Sequence, residues 1–368
     1  MKVALVYDRV NKIGGAERIL VALHELYPQA PLFTLVYEAE SAPWSKGWQV
    51  QTSFLQQIPF ARRYHEFFPI IPIFAVEQFD FSGFDLVISI TATEAKGIIT
   101  GPSTLHISYI LTPTRYLWSH YREYFTNRWL RYLSLPAVTY LRLWDQLASK
   151  RPDVLVAISN TVRGRIKKYY QRDAKVIYPP VDLVSTENDI SNTQNKEKDY
   201  FLVVSRLVRY KRIEIAIEAC NQLQLPLIII GEGLDKKRLM NLSGPTIQFM
   251  GNLTDWELAS YYQNCRALLF PQEEDFGIVV VEALRFGKPV IAYRSGGATE
   301  IIIEGKNGEF FYPDTSQALE IVLEKTMNKT YSQNLCQKTS RKFSKSRFKK
   351  EFKDFIEAEW AEFKLCQN

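Results

Sequence analysis

Short continuous apolar runs alternate with stretches of helical periodicity along nearly the whole chain, and they do so in two sets. The first set of candidate strands is VALVY (3–7), PLFTLVY (31–37), DLVISI (85–90), LHISYIL (105–111) and VLVAIS (154–159). The second is YFLVVS (200–205), PLIII (226–230), TIQFMG (246–251), ALLFP (267–271) and PVIAY (289–293). Helical patterns fall between them, at 15–26, 161–170, 212–223, 255–264, 278–286 and 315–326. A strand that is apolar on both faces must be covered on both faces. Strands separated by helices are joined by crossovers, so each set predicts a parallel sheet. The fold class expected is α/β, with two doubly wound Rossmann-like domains and ligands at the carboxyl ends of strands, in a cleft between the halves.

A length of 368 residues suits two such domains, and no disulfide or metal staple is needed at that size. The expected division is an N-terminal domain at 1–180, a polar linker at 181–199, a C-terminal domain at 200–346 and a C-terminal segment at 347–368. The linker follows Tyr178-Pro179-Pro180 and has no apolar periodicity. The last segment places Phe348, Phe352, Phe355, Trp360 and Phe363 near helical spacing, which predicts an amphipathic helix packed on the body.

Only five apolar residues separate Lys2 from Asp8, which suits a first strand better than an export signal. No run approaches the roughly 20 apolar residues needed to span a bilayer. Cys220, Cys265, Cys336 and Cys366 show neither CxxC spacing nor a paired framework, so a reduced, cytoplasmic protein is expected. Residues 1–180 carry 21 Lys/Arg against 14 Asp/Glu, whereas 181–368 carry 25 against 26. The basic half suits either an anionic partner or a solvated surface.

The stretch Pro271–Glu300, PQEEDFGIVVVEALRFGKPVIAYRSGGATE, is the richest in chemistry. A strand ends, an acidic loop with a glycine follows, and a helix opens near Ile278. Glu274 lies in the loop and Glu282 about a turn into the helix. Carboxylates suit sugar hydroxyls, and the backbone N–H groups around Phe276, Gly277 and Ile278 favour phosphate. Residues 295–298 are expected to form a second small anion nest. SRLVRYKR (205–212) places Arg206 and Lys211 across a loop after a strand, where two cations can clamp a diphosphate and neutralise a leaving group. Arg209 and Arg212 are expected to be solvated. Gly231-Glu232-Gly233 after PLIII reads either as a ligand turn or as a tight strand-to-helix turn, and Gly14-Gly15 before the first helix likewise. No G-x-G-x-x-G, D-x-D pair or His/Cys cluster occurs, so neither a cofactor nor a metal is expected.

These residues resemble the retaining glycosyltransferases of family 4, which have the GT-B fold; their E-x7-E motif matches Glu274 and Glu282. The resemblance implies that Glu274 holds the donor sugar, that Glu282 holds the ribose, and that Arg206 and Lys211 hold the diphosphate and assist its departure. It places Gly231 and Glu232 near the base and Gly14 and Gly15 against the donor phosphates. Residues 108–125, SYILTPTRYLWSHYREYF, are similar to the branch of O-antigen mannosyltransferases, which reads Tyr-x-His-Thr-Pro-x-Arg-Tyr-x-Trp. Thr112, Pro113, Arg115, Tyr116 and Trp118 match, which puts Leu111, Thr112 and Arg115 on the acceptor side. Leu111 stands where the pattern has His. His106 and His120 are the nearby imidazoles available to substitute in part, although a structural or surface role suits each of them better.

The resemblance implies transfer of mannose from GDP-mannose, or of another sugar from a GDP- or UDP-sugar donor, to a saccharide or lipid-linked acceptor in cell-surface polysaccharide synthesis. Arg115, Arg122, Arg128, Arg131 and Arg142 lie among Trp118, Tyr121, Tyr124, Phe125, Trp129, Tyr132 and Tyr140. That composition suits contact with an anionic membrane surface, or an aromatic core with a basic rim. No nucleic-acid motif accompanies it. Leu111 leaves a second reading open, a catalytically silent nucleotide-sugar-binding or scaffolding subunit.

Overall fold

The computed structural model describes residues 1–11, 14–58, 70–119, 121, 127–181 and 200–367, without the side chain of Leu130. The linker residues 182–199 and the side chains of His65, His120, Arg122, Tyr124 and Phe125 lie outside the described residues. The chain divides into two compact units, one formed by Met1–Pro180 with Lys345–Asn368, the other by Val181–Ser344.

The first unit is built on β1 (Val3–Tyr7), β2 (Leu32–Thr34), β3 (Val50–Thr52), β4 (Leu86–Thr91), β5 (Leu105–Ile110), β6 (Val154–Ala157) and β7 (Lys175–Val176). Their order is β3-β2-β1-β4-β5-β6-β7, with every neighbouring pair parallel. The central strands β1, β4 and β5 are buried along their whole length, as apolar runs covered on both faces must be. The helices are α1 (Gly15–Leu26), α2 (Ile71–Glu77), α3 (Arg128–Ala148) and α4 (Asn160–Tyr170). Ser159 caps α4 by accepting the Val162 N–H at 3.1 Å, and Asn127 caps α3 by accepting that of Trp129 at 2.8 Å.

The second unit repeats the plan with β8 (Phe201–Val204), β9 (Leu227–Ile230), β10 (Ile247–Met250), β11 (Ala267–Phe270), β12 (Val290–Tyr293) and β13 (Gly308–Phe311). The order is β10-β9-β8-β11-β12-β13, again all parallel. Its helices are α5 (Ile213–Gln222), α6 (Lys236–Leu242), α7 (Asp255–Asn264), α8 (Ile278–Arg285), α9 (Ala298–Ile301), α10 (Ser316–Met327) and α11 (Gln333–Arg341). Thr254 and Glu257 form a reciprocal capping box on α7. Ile213, Ile217 and Leu319 pack with the sheet residues Phe201, Ile229 and Leu269 in one core.

The last helix, α12 (Lys345–Gln367), belongs to the first unit. Phe348, Phe352 and Ile356, spaced four apart, are its buried residues. Phe348 and Phe352 meet the Tyr109 ring at 6.2 and 6.0 Å, and Lys345 and Lys349 both reach Glu25 on α1, at 2.9 and 3.1 Å.

In both sheets the strand order reverses beside the first strand, between β1 and β4 and between β8 and β11. Loops leaving the carboxyl ends of such a pair diverge to opposite faces and leave a crevice for ligands.

Candidate functional site

At the reversal in the second sheet, the loop after β8 carries Arg206 and Lys211, and the loop after β11 carries Glu274. The Lys211 ammonium is buried and ion-paired to the Glu274 carboxylate. It also lies 5.0 Å from the centre of the Tyr210 ring, and the Tyr210 hydroxyl accepts a hydrogen bond from the exposed Arg206 guanidinium at 2.8 Å. Arg206, Tyr210, Lys211 and Glu274 therefore form one contiguous run: two cations, a phenol and a carboxylate. Arg209 is exposed, as expected. Arg212 is not merely solvated: it takes the left-handed conformation that launches α5, and its guanidinium meets Asp314 at 3.1 Å.

Glycines let the neighbouring loops close on this run. Gly231 has φ +138°, and a Cβ there would lie 2.0 Å from the Ser205 carbonyl oxygen; one at Gly233 would lie 2.1 Å from that of Leu207. The Leu207 N–H donates to the Glu232 carbonyl at 2.9 Å, and the Asp235 N–H to the Leu207 carbonyl at 2.9 Å. The 231–233 turn thus fixes the loop that carries Arg206. The Glu232 side chain points elsewhere, pairing with Lys236 at 2.6 Å.

The acidic loop is braced in the same way. A Cβ on Gly297 would lie 2.4 Å from the Phe276 Cα, and the Gly297 N–H donates to the Glu274 carbonyl at 2.8 Å. Ser295 donates its hydroxyl to Glu273 at 2.7 Å and its N–H to the Tyr293 carbonyl at 2.7 Å. Within the expected anion nest at 295–298, the Gly297 N–H is thus taken by the loop of Glu274 and the Ser295 N–H by Tyr293. Phe276 is buried with its ring 5.3 Å from that of Phe343. Gly277, at φ +95°, turns the chain into α8, which opens on the half-buried Ile278. Glu282 sits in the second turn of α8. It is buried and accepts the Tyr262 hydroxyl from α7 at 2.9 Å.

The first unit carries the remaining expected residues. Gly14 precedes α1 and Gly15 opens it, but the first turn already holds a carboxylate. Glu17 is buried, lies 3.0 Å from where a Cβ of Gly14 would be, and accepts the Tyr7 hydroxyl at 2.8 Å. Burial first, and then the Glu17 charge, raises the Tyr7 phenol well above its ordinary value. Beyond β5, the Leu111 N–H donates to the Thr91 carbonyl at 2.8 Å; Thr112 is buried, and Leu111 and Arg115 are half-buried.

Asp8 and Asp145 are among the buried carboxylates that escaped the sequence reading. Asp8 accepts the N–H groups of Ala92, Thr93, Glu94 and Ala95 at 2.7–3.1 Å and the Thr91 hydroxyl at 2.9 Å, tying the end of β1 to the end of β4. Asp145 on α3 accepts the Thr114 hydroxyl at 2.8 Å, the Trp118 indole N–H at 2.7 Å and the Tyr170 hydroxyl at 2.8 Å, and pairs with buried Lys96 at 2.6 Å. Trp118 of the 108–125 motif is therefore anchored in the fold. The only signal for Asp8 was its place directly after a buried strand; Asp145, inside a helix, gave none.

His106 does not stand in for an imidazole at 111. It is fully buried near the start of β5, with Nε2 2.8 Å from the Ser89 hydroxyl oxygen. Five residues of extended strand separate the two positions by about 16 Å and put them on opposite faces. Burial, with Arg172 and Arg151 adding to it, pushes the His106 pKa from 6.5 down to about 3, so the ring is neutral.

Residues 184–345 match the family model of the glycosyl transferases group 1. An uncharacterized glycosyltransferase of Methanocaldococcus jannaschii is 29% identical over 45% of this chain and 47% of its own length. The O-antigen chain mannosyltransferase C of Escherichia coli is 30% identical over 49% and 50%, and the human alpha-1,3/1,6-mannosyltransferase ALG2 28% identical over 40% and 43%. The chain spans about half the length of the curated relatives it matches. Among crystal structures, Anabaena Alr3699/HepE in complex with UDP superimposes with a TM-score of 0.73 at 20% identity, covering 97% of this chain and 100% of that one. Sucrose-phosphate synthase from Thermosynechococcus elongatus gives 0.74 at 14%, covering 98% and 100%. Residues 184–345 are thus similar to the glycosyl transferases group 1, and the two parallel-sheet units have the GT-B fold.

Proposed function

We propose that the chain is a retaining glycosyltransferase that moves mannose from GDP-mannose to a saccharide or lipid-linked saccharide acceptor in the synthesis of a cell-surface polysaccharide. The observation that carries this reading is the run Arg206–Tyr210–Lys211–Glu274 at the strand-order reversal of the second sheet. Arg206 and Lys211 bind the donor diphosphate, with the start of α8 at Gly277 and Ile278 offering backbone N–H groups to it. Glu274 accepts hydrogen bonds from the sugar hydroxyls, and Glu282 serves the ribose. The bond from the anomeric carbon to the diphosphate oxygen breaks as the acceptor oxygen bonds to that carbon on the same face. The acceptor proton passes to the departing phosphate oxygen. Negative charge grows on the diphosphate in that step, and Lys211 and Arg206 stabilise it there.

The curated relatives that transfer mannose support mannose as the sugar, and the HepE complexes with UDP and UDP-glucose support a nucleotide-sugar donor. Acceptors on a membrane fit α3. Trp129, Leu133, Tyr140, Leu143 and Leu147 are exposed on one face of it, opposite buried Val138, Leu141 and Asp145. No helix among the described residues is long and apolar enough to cross a membrane. The test is incubation of the purified protein with a panel of GDP- and UDP-sugars, following nucleotide release. GDP-mannose is consumed fastest; if no nucleotide sugar is bound, the reading fails.

A second reading, a silent nucleotide-sugar-binding or scaffolding subunit, rests on Leu111. Leu111→His separates the two. In an enzyme that works without that imidazole, turnover changes less than about tenfold. A rise of the roughly 10²–10⁴-fold that a positioned acid–base group contributes marks a decayed site.

A further inference from the structure

The second sheet ends at β10, and the helix that follows, α7, leaves a groove beside that edge. The groove has a volume of about 610 Å³ and is lined by Ile228, Thr246, Gln248, Met250, Trp256 and Tyr261, among others. Residues 246, 248 and 250 share one face of the β10 strand, and Ile228 is the register partner of Gln248 on β9. In a doubly wound domain that face is ordinarily covered.

Three features of the lining select a ligand. Trp256 is 70% exposed, and among the described residues its indole makes neither a ring pair nor a hydrogen bond. Tyr261 lines the same groove and is held in place: the Tyr200 hydroxyl donates to the Tyr261 carbonyl at 2.9 Å, with the two rings 6.5 Å apart. Uncommitted neutral polar groups line the groove with these rings. The Gln248 carboxamide makes no hydrogen bond among the described residues, and the Thr246 hydroxyl oxygen is buried without a partner. The lining contains no Lys or Arg, and its one charged residue, Glu257, is committed to the Thr254 cap at 2.8 Å. Phosphates, nucleotides and anionic lipids require cations that this groove lacks. A flat aromatic face beside neutral amide and hydroxyl groups matches a sugar ring, which presents a C–H face and a rim of hydroxyls.

We infer that this groove binds a segment of neutral oligosaccharide, as an accessory site separate from the donor loops. Binding is read without donor, so the result stands apart from the assignment of Lys211 and Glu274. The full-length protein is run by affinity electrophoresis through gels containing α-mannan, glycogen or galactan. At least one of them retards the native protein, and Trp256→Ala and Gln248→Ala each weaken that retardation roughly tenfold, as loss of an anchoring contact does. Circular dichroism of both variants matches the native spectrum, since Trp256 is exposed and Gln248 lies on an outer edge. Three results overturn the inference: no retardation in any gel, undiminished retardation of both variants, or a change of oligomeric state in Trp256→Ala by sedimentation, which would make the groove a protein interface.

Discussion

Lys211 and Glu274 are 63 residues apart and pair directly, the ammonium from the loop after β8 and the carboxylate from the loop after β11. The Lys211 side chain is 5% exposed and that of Glu274 20%. Truncating one member strands the other in a poorly solvated place. Breaking a buried pair costs about 3–5 kcal/mol, and partial exposure of the carboxylate brings the expected loss to about 2 kcal/mol. On activity the effect is larger. Lys211→Ala and Glu274→Ala each lower transfer at least ~100-fold, the scale for losing a group that stabilises developing charge. The double variant loses less than the sum, with a coupling above about 1 kcal/mol. Steady-state transfer and thermal unfolding of the three variants check this, and unchanged turnover in both single variants would remove these two residues from the mechanism.

The acidic loop keeps its place because two backbones touch. Gly297→Ala puts a methyl 2.4 Å from the Phe276 Cα, which no side-chain rotation relieves. The loop of Glu274 must move, at the roughly 1–3 kcal/mol typical of overpacking. Expected are a lower melting temperature and a weaker affinity for nucleoside diphosphate by calorimetry. Gly305→Ala is the control: its φ of +78° gives it a backbone strain that Gly297, at φ −64°, does not have, but its nearest atom is the flexible end of Lys329 at 3.7 Å, so it is strained without any loop clash. Equal nucleotide affinity in the two variants would show that the brace does not position the site.

His106 gives the first unit a pH dependence. Its folded pKa, about 3, lies below the ordinary 6.5, so the unfolded chain binds one more proton between those values. This contribution to stability is therefore present above pH 6.5 and is lost progressively as pH falls towards 3. Between pH 6.5 and about 5, before most carboxylates titrate, the loss is roughly 2 kcal/mol. Urea unfolding of the native protein and of His106→Gln across that window measures it. The variant, whose amide can still meet Ser89, shows a flatter profile; parallel profiles would refute the assignment.

Much of this was visible in residue order. The buried central strands read directly as apolar runs, because parallel strands covered on both faces have no polar alternation to blur them. Strands β3 and β7 did not, having no buried residue to mark them, nor did β13, whose GEFF opens on a glycine and carries a charge. Helix α3 was hidden by Pro136, which reads as a breaker, and by an apolar stripe on the face that does not pack. Helix α11, QNLCQKTSR, is too polar to show a core face. Within the site, Arg206, Lys211 and Glu274 stood out because two cations and a carboxylate fall in loops that follow strands of the second apolar set. Their pairing was not, since only the β8–β11 neighbourhood brings the two loops together. Gly231 read equally as a ligand turn or as a tight strand-to-helix turn; only the fold shows the Ser205 carbonyl against it. Asp8 and Asp145 act through partners 80 or more and up to 49 residues away, a relation that no local pattern encodes.

The outward face of α3 yields the last prediction. Trp129 is 76% exposed and Leu147 61%, on the same stripe, with Arg128 at the helix start and a basic N-terminal half around it. Aromatic and aliphatic side chains of this kind sit at a lipid interface, and each nearby Lys or Arg adds about 1 kcal/mol on an anionic surface. The protein should therefore sediment with vesicles containing phosphatidylglycerol and leave those of phosphatidylcholine alone. Raising salt from 0.1 M to about 1 M shortens the Debye length from ~10 to ~3 Å and should release most of it. Trp129→Ser with Leu147→Ser removes roughly 3 kcal/mol of buried apolar surface, enough to weaken binding about a hundredfold without touching the buried face at Val138 and Leu141. Donor hydrolysis in solution should be unaffected by that pair of changes. Failure to sediment with anionic vesicles at low salt, or equal sedimentation of the double variant, would mean that this face meets something other than a membrane.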